Sequence, residues 1–421
     1  MSQRILFISN GHGEDDNSSH VIRTLRTLHP KLQLLALPIV GEGNAYKKLQ
    51  IPIVGPTYIL PSGGFTYMNR LRLIDDIRAG LLTMSYKQFR AMRKSVAQVD
   101  FVVATGDTVS QAFAYFSNRP FISNIACLSA LYEGRLNMDW LLWQIFKSDR
   151  CKAVLTRDAY TAEDLGKQGL TKVQFGGIPS LDRLKPTGKN LQLKPNDKMV
   201  ALLPGSRTAE AIRNFKLEMQ TAVEIAQLKE QITFRAALVP GVMSAVGAIA
   251  REQGWQISQH AHPQQAPWIR LRFSGSDTHP NPADILCYSD AYSDIIHRTI
   301  VIGMAGEAVD KAVAIGKPVV QIPGKGPQFT YAFAEAQNRL LGLSAQTIGG
   351  QAATPTTLKE AAKCVVKTID DTSYLQACQW NGPHRLGPSG GANRIASLIL
   401  QHLNVVRQDN AYQVLDTSLR P

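Results

Sequence analysis

Two stretches of the chain carry residues suited to gripping an anion. In the first, the apolar run 200–203 breaks at Pro204 and passes through Gly205, Ser206 and Arg207 into a helical pattern with Glu210 in its first turn. Glycine lets the backbone approach a ligand closely, Ser206 and the free N–H groups of a helix start can donate to an oxyanion, and Arg207 adds a fixed positive charge. In the second, the run 299–302 ends at Gly303, and the small residues of Gly303, Met304, Ala305 and Gly306 leave room for a diphosphate over a helix start. Glu307, in the first turn of that helix, could accept both hydroxyls of a ribose. The next apolar run, PVVQIPG, leads to Lys325 and Gln328 on the same rim. A plainer account of these residues also stands, in which serine caps a strand-to-helix turn, the glycines serve close packing and Glu307 complements the helix dipole.

A third stretch offers proton-transfer groups. The first strand-like run ends in GHGEDD, which has Gly11 and Gly13 but no third glycine, so a dinucleotide fingerprint is a poor match. His12, Glu14, Asp15 and Asp16 could instead meet a substrate hydroxyl, as could Asp107 in VVATGDTVSQAF, which closes a later strand where a helix begins. An imidazole with an unperturbed pKa near ~6.5 suits a general base, and so does a carboxylate facing a cleft. The alternatives are an N-cap at Asp107 and a solvated first helical turn for the acids.

Positioning these loops requires strands that end together. Short β-branched runs alternate with helical patterns through RILFISN, LQLLALPIV, FVVATGD, PFISNIA, AVLTRD and VQFGGIP. After the Lys-, Pro- and Gly-rich stretch LKPTGKNLQLKPNDK, a second series follows with MVALLPGSR, ITFRAALVP, ADILCYS, TIVIGMAGE and PVVQIPG. Alternation of this kind predicts an α/β chain of two doubly wound, Rossmann-like domains with parallel sheets, binding ligands at the carboxyl ends of their strands in a cleft between them. GLSAQTIGGQAATP reads as loop, WQISQHAHPQQAPWIRLRFSGSDTHPNP as a polar, proline-broken excursion, and LGPSGGANRIASLILQHL as a glycine turn into a final amphipathic helix.

The 421 residues are 44% hydrophobic and carry a formal charge of +13, so an anionic partner is expected. No basic low-complexity tail, zinc-finger spacing or RNA-binding motif is present, which points away from nucleic acid and toward phosphorylated ligands or a membrane surface. The segment 63–94 mixes apolar residues with Arg70, Arg72, Arg78, Lys87, Arg90, Arg93 and Lys94, and MDWLLWQIF adds two tryptophans of the interfacial kind. Ordinary core helices with solvated basic faces fit as well. Five cysteines without a C-x-x-C pair suggest a reducing compartment and no zinc site. The opening MSQRILFIS is too short for a signal peptide, and AALVPGVMSAVGAIA falls short of the ~20 residues of a membrane span. A cytoplasmic location follows, with peripheral membrane contact open.

The sequences ALLPGSRTAE and GMAGEAVDKAVAIGKPVVQIPG together resemble the donor domain of lipid A disaccharide synthase and its relatives, GT-B glycosyltransferases that use a UDP-sugar. NGHGED and GKGPQFTYAFAEAQNRLLG resemble most closely the branch of lipid A disaccharide synthase-related proteins, and the likeness covers most of residues 4–400. It implies a nucleotide diphosphate and ribose held at Ser206, Arg207, Gly303 and Glu307, an important aspartate at Asp107, and a hinge marked by Gly177, Pro179 and Asp182 in FGGIPSLDRL. The GHGEDD loop departs from the glycine-glutamate-alanine-serine-glycine-aspartate loop of the lipid A enzyme, and its Gly-His pair resembles that of the peptidoglycan N-acetylglucosaminyltransferase. The acceptor therefore differs from a lipid A precursor.

The expectation is an acceptor domain at 1–185, a UDP-sugar domain at 186–385, a helix at 386–405 returning to the first domain, and a disordered tail at 406–421. The activity expected is hexosyl transfer from a UDP-sugar to a lipidic or polyprenyl-type acceptor, inverting and metal-independent, with no other cofactor. Catalysis falls to Asp107, His12 or Glu14, and donor binding to Gly205, Ser206, Arg207, Gly303, Met304, Ala305, Gly306, Glu307 and Gln328. A UDP-sugar epimerase of the same fold and a non-catalytic nucleotide-sugar binder remain alternatives. The sugar, the acceptor and the oligomeric state stay open.

Overall fold

A computed structural model of the chain describes residues 3–57, 81–195, 197–262, 265–298 and 300–417, which form two compact units: Met1–Arg183 with Gly387–Pro421, and Leu184–Leu386. In the first unit β1 (Arg4–Ser9) runs into α1 (His12–Leu28), followed by β2 (Gln33–Pro38), α2 (Asn44–Lys48), α3 (Leu81–Ser95), β3 (Phe101–Thr105), α4 (Thr108–Phe116), β4 (Phe121–Ile125), α5 (Trp140–Lys147), β5 (Cys151–Thr156), α6 (Ala159–Lys167) and β6 (Val173–Phe175). The sheet order is β2-β1-β3-β4-β5-β6, and every pair is parallel.

The strands read as continuous apolar runs because both faces are covered. Leu6, Ile8, Val102 and Ala104 point into one core, while Ile5, Phe7, Phe101 and Val103 point into the other. Between β1 and β3 the direction of winding reverses, the point at which doubly wound sheets bind ligands at their carboxyl ends.

The second unit contains β7 (Lys198–Leu203), α7 (Thr208–Leu228), β8 (Ile232–Ala237), α8 (Pro240–Glu252), β9 (Gln256–His262), β10 (Gln265–Phe273), β11 (Ala283–Tyr288), α9 (Tyr292–Ile296), β12 (Ile300–Gly303), α10 (Glu307–Ala314), β13 (Val319–Gln321), α11 (Tyr331–Leu341), β14 (Ala345–Thr347), α12 (Pro355–Asp370) and α13 (Thr372–Leu386). Its order is β14-β13-β12-β7-β8-β11-β10-β9, and the reversal falls between β7 and β12.

Two segments differ from the sequence reading. The proline-broken excursion is a hairpin, β9–β10, that extends the sheet antiparallel from β11, and Pro267 sits where the register shifts between Gln265 and Trp268. A bulge tolerates the missing N–H, so the proline does not end the strand. Within GLSAQTIGGQAATP, residues 345–347 pair with β13 as a short edge strand.

After Gly387 the chain rejoins the first unit as α14 (Gly391–Thr417). Ala392, Ile395, Ala396, Ile399 and Leu403 pack in the core with Ile5, Phe7, Val21 and Leu25. Asp182 receives the backbone N–H groups of Gly390, Gly391 and Ala392 at 2.5, 3.0 and 2.8 Å, and so fastens the start of this helix. Residues 406–417, expected as disordered tail, continue the helix; no glycine or proline interrupts them, and 418–421 lie outside the described residues. All five cysteines are free.

Candidate functional site

Each unit places its chemistry-bearing residues at its own point of reversal. In the second unit Leu203 pairs with Gly303, so the turns leaving β7 and β12 lie side by side. Gly205 adopts φ +106°, which strains any other residue, and a Cβ there would stand a tight 3.2 Å from the Met304 carbonyl oxygen. Arg207, not Ser206, is the residue that opens α7, and no side chain caps that helix. Gly306 opens α10, again without a side-chain cap. The helices that start at Asp107, Asp139, Asp158, Thr330 and Thr354 are all capped by side chains. The starts of α1, α2, α8 and α9 lack a side-chain cap as well, so what marks the β7–β12 reversal is that two uncapped starts flank it together, beside Arg207.

Arg207 donates through Nη1 to Gln328 Oε1, and Gln328 Nε2 lies 3.3 Å from where a Cβ on Gly306 would be. Gln328 thus bridges the two helix starts. Glu307 is partly exposed and pairs with Lys311 at 2.8 Å. Ser206 and Lys325 are exposed on the rim, and Ala305 is buried.

Two of the expected donor residues also have structural contacts. Met304 is buried, donates its N–H to Leu203 O at 2.9 Å, receives Asn214 Nδ2 at 3.2 Å on its carbonyl, and puts its side chain into the core. Gly303 is buried in β12, where a Cβ would collide with Val309 and stand 3.1 Å from Val319 Cγ1, so its small size serves the packing of α10. Sequence reasoning missed Asn214, which also donates to Pro204 O at 2.9 Å, because its bridging role depends on Met304, ninety residues further along the chain.

In the first unit, Asp107 opens α4. Its Oδ1 accepts from Val109 N at 2.9 Å and from Asn10 Nδ2 at 2.6 Å, and burial raises its pKa above the usual carboxylate range. Glu14 folds its carboxylate back over Gly11, the N-cap of α1, so a side chain at position 11 would displace it. His12 is exposed and lies against Gly41, which follows β2, with a Cβ on Gly41 falling 2.7 Å from its Cε1. Since β2 and β3 flank β1 on opposite sides, His12 and Asp107 sit to either side of the β1 terminus.

Asp15, for which the sequence left both a hydroxyl-facing place and a solvated turn open, is only 2% exposed. Ser9 Oγ bonds its Oδ1 at 2.6 Å and Tyr46 Oη at 2.6 Å. Burial, with Glu14 and Asp16 adding to it, pushes the Asp15 pKa up to about 7 against the opposing Ser9 hydrogen bond. Two further groups were not singled out from sequence. Cys127, after β4, has its thiol pKa pushed up by burial; Glu14 and Asp107 act on it in the same direction and Arg157 in the other. Glu14, Asp107, Cys127 and Arg157 therefore share one electrostatic neighbourhood at the carboxyl ends of β1, β3, β4 and β5.

Of the basic residues in 63–94, Arg70, Arg72 and Arg78 lie outside the described residues, while Lys87, Arg90, Arg93 and Lys94 are exposed on α3. No described helix is long and apolar enough to cross a membrane. Among the described residues no three His, Cys, Asp or Glu side chains form a metal-holding group.

No family model and no curated protein sequence matches the chain. Solved structures do. The calicheamicin glycosyltransferase CalG4 superposes with a TM-score of 0.60 at 12% identity, covering 96% of this chain and 98% of that one. MurG from Acinetobacter baumannii gives 0.55 at 13% identity over 95% and 99%. The fold is GT-B. The UDP-GlcNAc 2-epimerase from Neisseria meningitidis, solved with UDP-GlcNAc bound, shares this GT-B arrangement with a TM-score of 0.53 at 12% identity over 95% and 100%. At such identities the likeness establishes architecture, and within a GT-B chain the β7–β12 and β1–β3 reversals are the places to look for ligand chemistry.

Proposed function

We propose that the chain is a UDP-sugar-dependent hexosyltransferase of the lipid A disaccharide synthase-like kind, with a lipidic or polyprenyl-type acceptor. The observation that carries this reading is the pair of uncapped helix starts, at Arg207 and Gly306, set beside Arg207 itself: two dipoles and a guanidinium converge where a diphosphate would lie. Glu307, at the start of α10, is the group offered to the ribose.

In the proposed reaction the acceptor hydroxyl attacks the anomeric carbon while Asp107 Oδ2 takes its proton. The bond from that carbon to the diphosphate oxygen breaks with inversion, and UDP leaves with its developing charge held by Arg207 and the helix N–H groups. Asp107 is preferred over His12 because Asn10 and the α4 backbone both hold its Oδ1, and over Glu14 because Glu14 is turned back on Gly11. An apolar acceptor is supported by Val109, Trp140 and Leu141, which are 45%, 74% and 38% exposed. The Thr108–Asp139 hydrogen bond of 2.9 Å joins the starts of α4 and α5 beside Asp107. The exposed basic row of α3 suits peripheral contact with an anionic membrane at the cytoplasmic face.

A second reading, a UDP-sugar 2-epimerase, draws support from the crowding of Glu14 and Asp107 around Cys127 and from the fold shared with such enzymes. Incubation with UDP-GlcNAc, followed by proton NMR with and without a bacterial lipid extract, separates the two. Glycolipid formation and UDP release only with extract supports transfer; inversion at C2 of the sugar nucleotide without extract supports epimerisation. Thermal unfolding with a panel of UDP-sugars finds the donor, since a cognate ligand at ~100 times its Kd adds ~2.7 kcal/mol. No shift with any of them sinks the nucleotide-sugar reading.

A further inference from the structure

The inner face of α7 carries three polar residues one turn apart: Arg207, Glu210 and Asn214. Each reaches a loop at the carboxyl end of the sheet. Asn214 holds the carbonyls of Pro204, after β7, and Met304, after β12. Glu210, 4% exposed, accepts on one oxygen the backbone N–H groups of Gln328 at 2.9 Å and Phe329 at 2.7 Å, in the loop after β13. Arg207 meets the side chain of that same Gln328. A carboxylate so close to an anion site would weaken binding if it faced the ligand. Here its charge is spent on two backbone donors within the protein interior.

We infer that Glu210 is a positioning residue for the nucleoside diphosphate: it fixes the Gln328–Phe329 backbone so that the rim opposite Arg207 is in place before the ligand arrives. This rests on the donor reading given above. Loss of Glu210 leaves two N–H groups without an acceptor and frees the loop, so the cost falls on the diphosphate and not on the nucleoside.

The test is calorimetric titration of the full-length chain with UDP and with uridine. For Glu210→Ala the Kd for UDP rises roughly tenfold or more while that for uridine stays within about twofold, because only charge-assisted contacts to the diphosphate are disturbed. Glu210→Gln keeps an oxygen that can accept both N–H groups and restores UDP binding to within about threefold of wild type. Glu210→Asp keeps the charge but shortens the reach; it weakens UDP selectively, and serves if the alanine variant does not fold. Unchanged UDP affinity in the alanine or aspartate variants overturns the inference, as does parallel weakening of UDP and uridine, which marks a merely structural role. A wild-type chain that binds neither probe brings down the donor reading itself, and this inference with it.

Discussion

Asn10 Nδ2 and Asp107 Oδ1 lie 2.6 Å apart, joining the loop after β1 to the start of α4 across the reversal of the first sheet. The same Oδ1 caps α4 through Val109 N, and the Ser110 backbone also bonds this carboxylate, so the proposed base is at the same time a helix cap. Asp107→Asn separates the two roles, because asparagine caps a helix about as well as aspartate but cannot take a proton. The variant is expected to unfold within about 1 kcal/mol of wild type and to lose transfer by ~10²–10⁴-fold, measured as kcat on the glycolipid product. Retained turnover would leave Asp107 as a cap alone.

Asn10 is placed to act on that carboxylate. Burial raises the Asp107 pKa against the backbone N–H groups of Val109 and Ser110, and the N–H donated by Asn10 would favour the charged form in the same way. Replacing Asn10 with alanine therefore moves the acid limb of the pH–rate profile to higher pH, with kcat on the plateau less affected than activity at low pH. An acid limb that does not move would separate Asn10 from the titration of Asp107.

Stability has its own pH dependence. Asp15 binds its proton more tightly folded than unfolded, so between its unfolded pKa near 3.8 and its folded value of about 7 the native state holds the extra proton. The stabilisation is fully present below pH 3.8 and is lost as pH rises toward 7, by up to about 4 kcal/mol. Glu218, fully buried on α7 and raised well above the carboxylate range by burial, acts in the same direction. Urea unfolding of Asp15→Asn and Glu218→Gln across pH 4–8 should show a flatter decline than wild type in each case. Parallel curves would mean that neither carboxyl changes its proton affinity on folding.

Gly303→Ala tests packing against ligand contact. A methyl at this position collides with Val309, so the variant should lose ~1–3 kcal/mol in stability while the folded fraction binds UDP within about threefold of wild type. A stable protein that fails to bind UDP would return Gly303 to the ligand site.

Strand positions were legible because both faces of each sheet are buried, which turns β1, β3, β7 and β12 into unbroken apolar runs. The turn 204–207 was legible because strand, glycine, arginine and helix are contiguous. What escaped was everything that depends on contact across the sheet: the Asn10–Asp107 bond spans β1 and β3, and Glu210 serves a loop after β13. Asp15 was open between a substrate-facing place and a solvated turn, and is in neither: its side chain turns inward to Ser9, and Tyr46 lies beyond. Pro267 hid the β9–β10 hairpin, since the bulge that accommodates it has no local sequence mark.

The central claim is that the second unit seats a nucleoside diphosphate at Arg207 and the starts of α7 and α10. Its most direct measurement is the Kd of UDP for wild type and for Arg207→Ala by isothermal titration calorimetry. Saturable binding that weakens by about 10- to 100-fold in the variant, the worth of one guanidinium on a phosphate, is the result expected. Equal affinity in the two proteins, or no binding by wild type, would contradict it.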